Sequence, residues 1–267
     1  MKLTFIGGGN MGEAMLAATL NRVVARAKDI IVVDISEARR RHLREKYAVN
    51  VCTEISGAVA RSDIVVLAVK PQQLSHTMKA LAGTLKPSQL LLSVIAGATI
   101  KTLVGGLGHS RIVRVMPNTP AQVGEGVSVW TATPEVSNTQ RELAATILGA
   151  MGKQFCFEEE CYLDMATAVS GSGPAYVFFF TEALIGAARE LGFSEEMARE
   201  LAIRTVAGSA RFMELSGSMP AELRRKVTSP GGTTAAALSS LEEGDFAGLV
   251  VKAVSTAYQR ARELGQQ

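Results

Sequence analysis

The sequence predicts an α/β domain with an open, doubly wound parallel sheet over residues 1–160, followed by an all-α domain over residues 161–267. Three observations predict it. Short runs of β-branched residues and leucine alternate with helical stretches as far as residue 157, the pattern of repeated βαβ units. The first run leads straight into Gly7-Gly8-Gly9-Asn10-Met11-Gly12 and then into a helix. After Glu158-Glu159-Glu160 the strand signal stops, and the later segments have helical spacing.

Residues 2–6 form the first strand, and the spacing of apolar residues predicts a helix over 11–25. Residues 30–33, continuous and β-branched, read as a strand buried on both faces. Asp34 ends that strand, and Ser36 can cap the next helix, which runs to Tyr47. Further strands fall at 49–52, 63–69, 90–95 and 111–116. The last three end at Lys70-Pro71, Ala96-Gly97 and Pro117-Asn118-Thr119-Pro120. A strand at 127–130, a helix at 135–151 and a strand at 153–157 complete the domain. Right-handed crossovers would wind these strands into an open parallel sheet. Helices then follow at 164–191, 194–215, 220–227, 233–243 and 246–264, the first interrupted at Gly171 and Gly173-Pro174. The domain boundary is expected near residues 158–162.

Hydrophobic residues make up 47% and charged residues 20% of the 267, enough apolar surface for sizeable cores. A net charge of +3 with dispersed basic residues gives no nucleic-acid footprint. The densest basic run, Arg39-Arg40-Arg41 with Arg44 and Lys46, reads as a solvated helix face, or alternatively as a contact for a cofactor phosphate. Cys52, Cys156 and Cys161 form no C-x-x-C pair, and His42, His76 and His109 lie far apart, so neither a disulfide framework nor a metal site is expected. The apolar stretch 175–188 is broken by Glu182 and too short to span a bilayer. Only Met1 and Lys2 precede the first strand, which leaves no room for a signal peptide. A cytoplasmic protein without membrane or nucleic-acid partners is expected.

The spacing Gly7-x-Gly9-x-x-Gly12, placed between a strand and a helix, is a dinucleotide fingerprint. Gly7 allows the tight turn, Gly9 a close approach of the backbone to a pyrophosphate, and Gly12 the packing of helix on strand. Gly8, Asn10 and Met11 complete the loop. Asp34, 22 residues after Gly12, stands where an acid receives the ribose hydroxyls. Asp34 favours NADH, and the arginines after it favour NADPH. Ala68, Val69, Lys70, Pro71, Ala96, Gly97 and Asn118 close strands whose carboxyl ends border the same crevice. Lys70 is either a ribose or phosphate contact or a solvated lysine.

The stretch Val227-Thr228-Ser229-Pro230-Gly231-Gly232-Thr233-Thr234 reads as the entrance to a helix, with Thr228 and Ser229 able to cap it. Free N–H groups and the positive end of the helix dipole there suit a carboxylate. A plain capped turn would use the same residues.

In order along the chain, Gly7 to Met11, Ala68-Val69-Lys70-Pro71, Arg114 to Pro120, Ser170-Gly171-Ser172-Gly173-Pro174-Ala175-Tyr176 and Val227 to Thr234 resemble the pyrroline-5-carboxylate reductase family over essentially the whole chain. The resemblance implies an N-terminal Rossmann domain and a helical C-terminal dimerisation domain interlocked with its twofold mate. It implies a homodimer, with decamers in some members, and an active site completed by the partner's helices. It implies NADPH or NADH as cofactor, hydride transfer from C4 of the nicotinamide to the C=N carbon of pyrroline-5-carboxylate, and proline as product. The substrate carboxylate would dock on Ser229 and on backbone N–H groups around Gly231, Gly232 and Thr233, with Thr234 Oγ1 at the ring nitrogen. Alanine in place of Gly12 is common among relatives and is expected to be harmless. Asp34 departs from the family pattern, and so does Thr53-Glu54-Ile55-Ser56, where many relatives carry asparagine.

Two rival readings remain. A β-hydroxyacid-type dehydrogenase would use a lysine base on the long helix, yet no lysine lies between Tyr162 and Arg199. A catalytically silent dinucleotide sensor would not need the intact Ser229 to Thr234 loop.

Overall fold

The structure is a computed structural model and describes residues 1–266. Its first part runs β1 (Leu3–Ile6), α1 (Asn10–Asn21), β2 (Ile30–Val33), α2 (Glu37–Tyr47), β3 (Asn50–Cys52), α3 (Ile55–Val59), β4 (Ile64–Leu67), α4 (Leu74–Leu81), β5 (Leu90–Ser93), α5 (Ile100–Leu107), β6 (Ile112–Met116), β7 (Gly126–Ala132), α6 (Asn138–Gly149) and β8 (Gly152–Cys156). One sheet results, in the order β3-β2-β1-β4-β5-β6-β7-β8. Ile6 sits between Val33 and Leu67 in register, so the chain reverses its winding direction at β1 and β4.

The strands are apolar throughout because both faces are covered. Phe5, Val66, Leu92 and Val113 point to one side, where they meet Met15, Leu16, Ile147 and Leu148. Their neighbours Ile6, Leu67, Leu91 and Ile112 point to the other and meet Val59, Leu81, Leu103 and Leu107.

The structure corrects the expected sheet at one strand. β7 runs antiparallel to β6. Only a 3₁₀ turn, Thr119–Val123, joins them, and a parallel return needs a crossover of a dozen or more residues. α6 supplies such a crossover, and β8 is parallel to β7. α1 stops at Asn21, short of the expected residue 25, because the chain turns through Val23 at φ 57. α6 starts at Asn138 rather than 135, fixed by a capping box between Ser137 and Gln140. α3, α4 and α5, of 5, 8 and 8 residues, are not among the elements expected from the sequence; each spans only one or two turns.

The helical part comprises α7 (Cys161–Ala166), a π-helical turn at Thr167–Gly171, α8 (Gly173–Glu190), α9 (Glu195–Ser216), α10 (Pro220–Lys226), α11 (Thr233–Glu243) and α12 (Phe246–Gly265). The chain divides into two compact units: one from Met1 to Ser172 together with residues from Ala257 onward, the other Gly173–Thr256. The first unit thus extends past the expected boundary. Leu163 and Ala166 of α7 pack on Val129 of β7. Buried Arg114 of β6 donates to Glu160 at 2.6 Å and to Asp164 at 3.3 Å, and the Glu160 carboxylate also takes the Ile100 N–H at 2.7 Å.

The second unit buries few of its apolar residues within the chain, among them Ala198, Ala202 and Leu223. α8 and α11 hold no buried residue, and Phe178, Phe179 and Phe212 are 65%, 74% and 59% exposed. Contiguous apolar exposure of this kind marks a surface for another protein.

Thr19, in the core side of α1, is fully buried and its hydroxyl has no hydrogen-bond partner among the described residues. Thr19→Val keeps the shape and removes the unsatisfied group, so urea unfolding should show a gain of about 1 kcal/mol. A loss of stability would mean that the hydroxyl is satisfied in solution.

Candidate active site

The glycine loop is built by close approaches that side chains would block. Gly7 has φ 99, and a Cβ there would lie 2.6 Å from the Ala68 carbonyl oxygen. A Cβ on Gly12 would lie 2.2 Å from the Gly7 carbonyl oxygen. An alanine at Gly12 therefore requires the backbone to move, contrary to the harmless exchange expected from the sequence. Gly9 is exposed, with nothing within 4 Å of its Cβ position. It is the N-cap of α1 and supplies no side-chain cap. The first-turn N–H groups thus face open space at the positive end of a helix dipole.

Asp34 closes this loop from the end of β2. One carboxylate oxygen accepts the Gly8 N–H and the other the Ser36 N–H, each at 2.8 Å. Beside it lies a cavity of about 580 Å³ whose wall includes Gly7, Asp34, Thr53, Glu54, Val69 and His76. Its size suits an adenosine. The open backbone at Gly9, the collisions at Gly7 and Gly12 and this cavity together fit a bound dinucleotide.

Ser36 caps α2 as expected, accepting the Arg39 N–H at 3.3 Å. The basic run on α2 is more than a solvated face. Arg39, His42 and Lys46 recur at helical spacing and converge on Glu13 of α1. The Tyr47 hydroxyl donates to the same carboxylate at 2.8 Å, and Arg39 also donates to the Gly8 carbonyl oxygen. Partial burial alone would raise the Glu13 pKa. The hydrogen bonds from His42, Lys46 and Tyr47 and the Arg39 charge outweigh it, and the carboxyl falls to about 2. Sequence reading missed Glu13, although the 39, 42, 46 spacing carried its signal.

The remaining residues expected at the crevice are placed variously. Ala68 and Val69 pack under the Gly7 turn. Lys70 is exposed and precedes a 3₁₀ turn starting at Pro71. Ala96 and Gly97 lie in the turn after β5, where a Cβ on Gly97 would sit 3.2 Å from the Leu264 side chain. Asn118 is buried and both ends of its amide are engaged, donating to the Ser170 carbonyl at 3.1 Å and accepting the Val127 N–H at 2.8 Å.

The second unit carries the residues expected to bind substrate. α11 begins at Thr233, with Gly232 as N-cap and no side-chain cap. Thr228 and Ser229 do not cap it: the Thr228 hydroxyl returns to the Arg224 carbonyl at 2.7 Å, and a Cβ on Gly232 would meet Ser229 Oγ at 2.6 Å. Gly231 has φ 71, a conformation that suits glycine. Among the described residues nothing hydrogen-bonds the hydroxyls of Ser229, Thr233 or Thr234, and the first N–H groups of α11 are left open.

A glycine loop at the switch point of a doubly wound sheet, an acid at the end of β2 and an adjoining cavity define a dinucleotide-dependent oxidoreductase. The profile described as pyrroline-5-carboxylate reductase dimerisation matches residues 160–264, and one described as NADP oxidoreductase, coenzyme F420-dependent, matches residues 2–97. The chain belongs to the pyrroline-5-carboxylate reductase family. The reductase of that name from Pseudomonas aeruginosa is 41% identical over all of this chain and 97% of its own length. The one from Synechocystis is 38% identical over all of this chain and 99% of its own. The crystal structure of the Plasmodium falciparum pyrroline carboxylate reductase with NADP bound superposes with a TM-score of 0.89 at 32% identity, covering 99% of this chain and 98% of that one.

Glu13 makes the acid stability of the fold predictable. Its folded pKa lies below the ordinary 4.5, so the ionised network stabilises the fold above that pH, and the stabilisation is lost as pH falls toward 2. At pH 7 Glu13→Gln should cost on the order of 3 kcal/mol in urea unfolding. The difference from the parent should close between about pH 4.5 and 2. A difference independent of pH would show that the charge is not what matters.

Proposed function

We propose how this chain's residues perform the reaction of its family, the reduction of 1-pyrroline-5-carboxylate to L-proline with NADPH or NADH. The full-length match to reductases of that name carries this reading. The glycine loop, Gly7 to Gly12, holds the dinucleotide pyrophosphate against the open N–H groups of α1. Asp34 takes the adenosine ribose hydroxyls, and Ala68 to Pro71 border the same groove. Ala96, Gly97 and Asn118 shape its far side, Asn118 by tying the loop after β6 to Ser170. Bound NADPH or NADH supplies the hydride that the ring C=N carbon receives.

The substrate is small and anionic. Its carboxylate docks on the first N–H groups of α11 and on Ser229 Oγ, supported by Gly231, Gly232 and Thr233. Thr234 Oγ1 hydrogen-bonds the ring nitrogen as it becomes an amine. The protonated imine is already electrophilic, so the site needs no histidine or metal ligand, and the nitrogen proton comes from solvent. Positioning is then the main contribution of the protein, worth about 7–11 kcal/mol at most.

Apolar exposure on α8 and α9 supports a homodimer formed through the helical part, from which a decamer can be built. Light scattering should give twice the mass of one chain or a multiple of it; a monomer at micromolar concentration would refute this. Free cysteines at 52, 156 and 161 and likeness to biosynthetic reductases support a cytoplasmic enzyme. No helix among the described residues is long and apolar enough to cross a membrane.

Nicotinamide oxidation by the purified protein with pyrroline-5-carboxylate tests the reading. Thr234→Ala should lower kcat about tenfold and leave the dissociation constant of the dinucleotide unchanged. An unchanged kcat would remove Thr234 from the mechanism.

A further inference from the structure

The end of β2 carries charges of both signs, and their pairing decides which dinucleotide it suits. The cavity beside the glycine loop has two carboxylates in its wall, Asp34 and Glu54. Among the described residues no lysine or arginine lines it. Both carboxylates are held in place. Asp34 is fixed by the Gly8 and Ser36 N–H groups. Glu54 is fixed by the Gly57 N–H, at 3.0 and 2.8 Å to its two oxygens. A 2′-phosphate carries close to two negative charges near neutral pH and would meet like charge here.

His76 is in the cavity wall, and the arginines that follow β2 most closely are engaged elsewhere. Arg39 stands in the first turn of α2, and its guanidinium is bound by the Glu13 carboxylate and the Gly8 carbonyl oxygen. Arg40 donates to the Asp34 carbonyl oxygen at 2.7 Å. His42 and Lys46 point to Glu13 as well, at 3.1 and 3.0 Å. The Glu13 side chain is only 16% exposed, so water screens this pairing weakly.

We propose that this site selects NADH over NADPH, and that Glu13 sets the preference by holding Arg39 against the glycine loop, away from a 2′-phosphate. Glu13 is a positioning residue: it acts through Arg39 and touches no reacting atom. A free guanidinium would bind a 2′-phosphate through paired N–H groups, and on Arg39 one such pair, Nε and Nη2, is taken by the Gly8 carbonyl oxygen and the Glu13 carboxylate. The proposal rests on the dinucleotide lying along the glycine loop as assigned above.

Equilibrium binding of NADH and NADPH, followed by nicotinamide fluorescence on the intact protein, tests it without turnover. The parent should bind NADH at least about tenfold more tightly than NADPH. Glu13→Gln should tighten NADPH about tenfold and leave NADH within about twofold. Arg39→Ala alone should leave NADPH affinity unchanged, and in the double variant it should abolish the gain. Circular dichroism confirms that each variant is folded. Three results would overturn the proposal: NADPH bound as tightly as NADH by the parent, both affinities lowered together in Glu13→Gln, or NADPH alone weakened by Arg39→Ala in the parent. Asp34→Ser separates this from the underlying placement. If neither affinity moves in that variant, the ribose does not lie at Asp34. If it moves the ratio while Glu13→Gln does not, only the role of Glu13 fails.

Discussion

The contact between the Gly7 carbonyl and Gly12 is the constraint on which the first unit depends. A methyl group on Gly12 would come within 2.2 Å of that oxygen, far inside any van der Waals contact. Because it is missing, α1 can lean on the end of β1. The same turn presses on β4, where Gly7 meets the Ala68 carbonyl. β1 and β4 are the strands at which the winding of the sheet reverses, so the opening that the reversal creates lies directly above them. The binding groove is thus a consequence of backbone packing, made by side chains that are absent.

Around that groove, electrostatics is arranged by partners from different elements. Asp34 is at once a strand end, a staple for Gly8 and the cap-side neighbour of Ser36. Glu13 gathers four polar side chains from α2 onto α1. The two helices are therefore tied by polar contacts as well as through the core that Leu43 of α2 joins. A similar arrangement secures the far end of the unit. Arg114, buried in β6, meets two carboxylates of the segment around α7. A buried guanidinium is tolerable only when so paired, which accounts for the carboxylates at Glu160 and Asp164.

The helical unit follows a different logic. Its α9 is capped at both ends, by Ser194 and by Gly217 after it, so that helix forms on local grounds. The apolar faces of the unit's helices nevertheless remain largely uncovered in one chain. Local sequence secures α9, while burial of these faces is left to association, in keeping with the family's dimerisation segment. α11 differs: its first turn is open because Gly232 offers no side chain, and that opening is what suits it to a carboxylate.

Much of this was legible in the residues themselves. Continuous β-branched runs announced β2 and β4, because strands covered on both faces must be apolar throughout. Gly7, Gly12 and Asp34 announced the groove, because backbone approach and ribose recognition restrict residue type. Ser36 and the start of α11 at Thr233 were also readable, since caps and helix starts are local. Tertiary structure alone decided the rest. The antiparallel turn of β7 follows from a connection too short for a crossover. The engagement of Asn118 with Ser170 and the packing of Leu264 over Gly97 join residues distant in the chain. Glu13 was not singled out in the sequence; folding placed α2 beside α1, and only then did one carboxylate face Arg39, His42, Lys46 and Tyr47. Residue type and spacing determine which elements form, whereas the sign and partner of each charge at the site depend on which elements the sheet order makes neighbours.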